Sequence, residues 1–98
     1  MKERIISADK PLMQVFYTYN YPDGPTSRMF TLRVSADSIL SAIEKSIPMI
    51  QQEIIELIED ADREFGKGEL DPPKTFTIVL VRDWTTGEYT TIDKEVTL

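Results

Sequence analysis

The stretch from Ser35 to Gly68 constrains this chain most. Within it Ile43, Ile47, Ile50, Ile54, Leu57, Ala61 and Phe65 recur at spacings of three and four. That spacing lays an apolar stripe along one face of a helix. Ser35 or Asp37 is placed to cap its start, and Asp37 suits the positive end of the helix dipole. Gly66 and Gly68 mark its stop, with Lys67 at the negative end. Pro48 interrupts the pattern, because proline lacks the N–H and crowds the preceding turn. Two helices, the second capped by Ser46, would accommodate it, as would one helix kinked at Pro48. The stripe keeps its phase across the proline, which favours the single kinked helix.

The remaining segments read as strands around this helix. Residues 12–21 are aromatic and β-branched, with Val15, Tyr17, Tyr19 and Tyr21 on one side and Leu12, Phe16 and Thr18 on the other. Both sides are apolar in part, so either could face the core. Pro22-Asp23-Gly24-Pro25 is a turn signal. Residues 28–34 alternate, with Phe30, Leu32 and Val34 inward and Arg33 outward, and should pair with the first strand as a hairpin. Residues 75–82 follow the Pro72-Pro73 linker, with Phe76, Ile78 and Leu80 on one face. A turn at 83–88 and a last strand at 89–98 complete the chain. Residues 1–11 form a flexible arm or, at 4–7, a short edge strand.

The expectation is one α+β domain over residues 1–98, in the order ββαββ. A four-stranded, mostly antiparallel sheet carries the long, Pro48-kinked amphipathic helix across one face. The expected core joins Ile43, Ile50, Ile54, Leu57, Phe30, Leu32, Phe76, Ile78 and Leu80. A helix of about 30 residues spans about 45 Å. An eight-residue strand spans only about 26 Å. Either Pro48 folds the helix back, or one end projects with apolar residues exposed. A projecting end calls for a partner, and a homodimer is the simplest.

Composition narrows the functions. The 98 residues carry 17 acids against 11 lysines and arginines, a net charge of −6. Such a chain repels nucleic-acid phosphates and anionic membranes, and attracts a basic protein surface. Cysteine and histidine are both absent. Disulfides, thiol chemistry, the commonest zinc ligands and the usual general base near neutral pH therefore fall away. The six serines at 7, 27, 35, 38, 41 and 46 have no histidine to activate them, and the glycines form no phosphate loop. No cofactor, metal site or catalytic residue is expected. The N-terminal residues do not form a signal peptide and no run reaches membrane-spanning length, which points to the cytoplasm of a cell or host.

Three sets of residues stand out. Glu53, Glu56, Asp60 and Glu64 form an acidic ridge on the helix. Between 49 and 67, six carboxylates face two cations, a net of −4. Such a ridge is commonly a solvated face. Its functional reading is a docking face for a basic protein, including mimicry of nucleic-acid phosphates. A hard-cation site at Glu53, Glu56 and Asp60 lacks the spacing of a calcium loop. Tyr17, Tyr19 and Tyr21 read first as packing. Trp84 and Tyr89 flank the second turn, where exposed aromatics anchor interfaces.

The functional expectation is a small, acidic, non-enzymatic interaction protein that binds and regulates or inhibits another protein. Virus-encoded inhibitors and toxin-neutralising proteins share that compositional character. An assembly subunit acting through oligomerisation, or a small-molecule binding module, are the alternatives.

Overall fold

The computed structural model describes residues 12–22, 24–26, 29–66 and 72–98. The chain is an α+β fold. It runs β1 (Leu12–Tyr21), β2 (Gly24–Pro25), β3 (Phe30–Ser35), α1 (Ile39–Phe65), β4 (Thr75–Asp83) and β5 (Tyr89–Thr97). All strand pairings are antiparallel. β1 lies between β4 and the edge formed by β3, and β5 closes the far side. The two-residue β2 pairs with the end of β1, so the turn signal yields a short extra strand beside the expected four. The possible edge strand at 4–7 and the cation at Lys67 lie outside the described residues.

The helix is continuous. Ser38, not Ser35 or Asp37, is its cap: the Ser38 hydroxyl accepts the Ser41 N–H at 3.1 Å. Ala36 is fully buried just before it, so the chain is still packing against the sheet at the earlier candidates. At the other end the Gly66 N–H bonds the Asp62 carbonyl. Gly66 has φ +101, a conformation that suits glycine.

Pro48 sits inside α1. It leaves the Glu44 carbonyl without its helical donor. Pro48 and Glu44 are both exposed, so that carbonyl is not sealed in the core. Alanine is preferred over proline in a helix interior by about 3 kcal/mol. A freer unfolded chain offsets about 0.4–1 kcal/mol of that. Pro48→Ala is therefore expected to stabilise the protein by about 2–3 kcal/mol, read as a higher urea midpoint. An unchanged midpoint would mean that the helix accommodates the proline without loss.

Tertiary packing settles which face of β1 points inward. Met13, Val15, Tyr17 and Tyr19 are buried under the helix, while Leu12, Gln14, Phe16, Thr18 and Asn20 face the other way and are half-buried. Val34 from β3, Phe76, Ile78 and Val81 from β4, and Ala42, Ile43, Ile50 and Ile54 from α1 complete the core. Phe30, Leu32, Ile47 and Ile58 pack around it, partly buried. Ser46 is buried too, and its hydroxyl donates to the Ile43 carbonyl at 2.9 Å. Small side chains at Ala42 and Ser46 permit the helix to approach the sheet closely.

Two expected core residues are displaced. Leu80 pairs with Phe16 and Ile78 with Tyr17, so Val79 is an extra residue on β4. This bulge reverses the alternation beyond it. Val81 enters the core and Leu80 turns to the opposite face, half-buried. Leu57 has the correct helical phase but is 47% exposed, and Phe65 is 59% exposed. The helix continues past the sheet there, and among the described residues no strand lies beneath them.

Candidate functional site

The C-terminal half of α1 crosses the end of β1 that carries Tyr17, Tyr19 and Tyr21. The Tyr17 and Tyr19 hydroxyls both donate to Glu53 Oε1, each at 2.5 Å. Alternation along β1 points both rings inward. Phe30 packs against them, with centroids 5.8 Å from Tyr17 and 5.1 Å from Tyr19. Burial, and then the hydrogen bond to Glu53, push both phenols well above their ordinary value of 10. They stay protonated near neutral pH and act as donors. Glu53 is thus tied to the strand beneath it.

The other acids of the ridge lie outward. Glu56 accepts from Gln52 Nε2 at 3.4 Å, Asp60 is ion-paired with Arg63, and Glu64 is exposed. Among the described residues, no group of three or more carboxylates converges on a metal-sized position. Glu53, Glu56 and Asp60 are therefore not gathered as ligands.

Beside the ridge lies an open groove of about 170 Å³. Ile54, Leu57, Ile58 and Ala61 line it from the helix, and Tyr21, Pro72 and Pro73 from the sheet end and linker, with Asp62 also contributing. The groove exists because the helix overhangs β1: apolar side chains continue where the sheet has ended. Pro73 is buried and closes the groove from the linker side.

Trp84 and Tyr89 do not join this surface. The Trp84 N–H bonds the Leu12 carbonyl, at the opposite end of β1 from Tyr21. Those ends are about 30 Å apart along a ten-residue strand. Trp84 is 47% and Tyr89 68% exposed. The Asp83 carboxylate accepts the Thr85 and Thr86 N–H groups and so shapes the turn that presents Trp84. The guanidinium carbons of Arg33 and Arg82 lie 5.4 and 5.5 Å from the Trp84 ring centroid.

The tie between Glu53 and the tyrosines is not legible in the chain alone. Its one signal was a glutamate at the edge of the apolar stripe, next to Ile54. The gathering of Arg33 and Arg82 at Trp84 is not legible there either; Arg33 was visible only as an outward strand position. Comparison with protein-family models, curated proteins and solved structures finds no match to this chain. Among the described residues no helix is long and apolar enough to cross a membrane.

Proposed function

We propose that the protein is a non-enzymatic binding module that docks a basic, amphipathic segment of another protein on the C-terminal half of α1. The observation that carries this reading is the apolar groove at Leu57, Ile58 and Ala61 lying beside the ridge of Glu56, Asp60 and Glu64. An apolar anchor would enter the groove while lysines or arginines meet the ridge, the arrangement by which a small interface gains both burial and steering. The groove volume is well under the roughly 300–1,000 Å³ typical of small-molecule sites, which favours a protein side chain over a metabolite. The two phenols bonded to Glu53 serve the scaffold. Regulation or inhibition of the partner is the action such a module would exert.

The test uses a synthetic amphipathic peptide of leucine and lysine, followed by stopped-flow fluorescence. Binding should weaken as salt rises, since screening acts over about 10 Å at 0.1 M. Glu56→Lys with Asp60→Lys should slow association far more than it speeds dissociation. Leu57→Asp should abolish binding while leaving the fold intact, because Leu57 is half exposed. A peptide that binds equally well to Leu57→Asp would overturn the groove as the docking site. A second copy of the chain is the competing occupant, favoured by the exposure of Leu57 and Phe65. Light scattering on a sizing column separates the two, since only self-association gives a dimer mass without peptide.

A further inference from the structure

The sheet face opposite the helix carries a second cluster, independent of the groove. Gln14 on β1 pairs with Arg33 on β3 and with Arg82 on β4, so the three form one row across adjacent strands. Their neighbours Met13, Val15, Val34 and Val81 are buried in the core, so the row faces away from the helix. At a strand spacing of about 4.8 Å the two arginine Cα atoms stand about 10 Å apart. Trp84 draws both guanidinium groups to its ring.

This pair lacks what the rest of the chain has in excess. Acids outnumber bases 17 to 11. Arg63 is paired with Asp60. Among the described residues neither the Arg33 nor the Arg82 guanidinium has a hydrogen bond or an ion pair. Asp83, next to Arg82, turns its carboxylate to the Thr85 and Thr86 amides instead. Arg82 Nε is buried with no acceptor, and Gln14 Oε1 beside it is buried with no donor. A buried donor left unmet and two cations gathered at one ring are both unfavourable. Arg82 Nε and Gln14 Oε1 face each other across paired strands, whereas the gathered positive charge is open to solvent at Arg33 and is offset by an oxyanion on the outer guanidinium nitrogens, whose geometry suits it.

We propose that Arg33, Arg82 and Trp84 form a receptor for a single oxyanion group, a carboxylate or a phosphate, carried by a small ligand or a short segment. Long polyanions are repelled by the net charge of the chain.

Trp84 is the only tryptophan, so its fluorescence reports the site directly. The full chain is titrated at low salt with inorganic phosphate and, separately, with a short glutamate-containing peptide free of tryptophan. A saturable change in emission with phosphate alone identifies a phosphate ligand. A change with the peptide alone identifies a carboxylate, and a change with both identifies the shared chemistry. Arg33→Gln and Arg82→Gln should each weaken binding about tenfold or more, as loss of a charge-assisted hydrogen bond does. Arg63→Gln should leave it unchanged. Arg33 is exposed on an edge strand, so Arg33→Gln remains informative even if Arg82→Gln fails to fold. No saturable change with either probe, or a change that survives Arg33→Gln, would overturn the site.

Discussion

Ile54→Ala is expected to destabilise the protein by about 2–5 kcal/mol, while Leu57→Ala, three residues on, should cost under about 1 kcal/mol. Ile54 is 3% exposed and sits between the helix and the inward face of the sheet. Truncating it loses apolar burial and leaves a cavity that a close-packed interior closes only in part. Leu57 is on the same helical face but beyond the sheet, half in water. With a urea m-value of about 1–3 kcal/mol/M, the Ile54→Ala midpoint should fall by about 1 M or more. The two variants differ in one methylene-rich side chain each, so the contrast measures where the sheet stops supporting the helix. Equal losses would show that Leu57 is packed in solution, and the groove would then not be free to bind.

Removing the Glu53 carboxylate should be of similar size. Glu53→Leu leaves the hydroxyls of Tyr17 and Tyr19, residues each 1% exposed, without their acceptor. Each unmet donor costs about 1–3 kcal/mol, so the variant should lose about 2–6 kcal/mol. Glu53→Gln keeps an acceptor without the charge and should lose less. Stability equal to the parent in Glu53→Leu would show that these bonds contribute nothing net.

The same cluster sets the alkaline limit. The folded phenols have pKa values raised above the unfolded value of about 10. The unfolded chain therefore releases protons above pH 10 that the folded chain retains. The stabilisation is fully present below pH 10 and is lost as pH rises beyond it. Phenolate absorbance should include a phase that coincides with loss of helical circular dichroism. That phase should lose amplitude in Tyr17→Phe and in Tyr19→Phe. Ionisation of both tyrosines in a chain that stays folded would contradict the burial of the pair.

The helix, the strand spans and the ββαββ order were legible in the residues because their causes are local. A stripe at spacings of three and four, glycine at a helix stop, and proline with glycine at a turn act within a few residues. The length mismatch between helix and strands was legible as well, and it left two outcomes, a helix folded back at Pro48 or a projecting apolar end. The faces of β1 were not legible, because both carry apolar side chains and only contact with α1 chooses between them. The bulge at Val79 was hidden in the run Ile78-Val79-Leu80-Val81, where every residue is apolar and a one-residue shift leaves no trace in the pattern. Tyr17 and Glu53, 36 residues apart, meet only because the helix crosses that end of β1. Arg33 and Arg82 meet at Trp84 only because β3 and β4 flank the same strand in matched register. Periodicity and capping determine which elements form. Which side chains converge depends on register and on where one element ends above another, and those are set by packing between segments far apart in the chain.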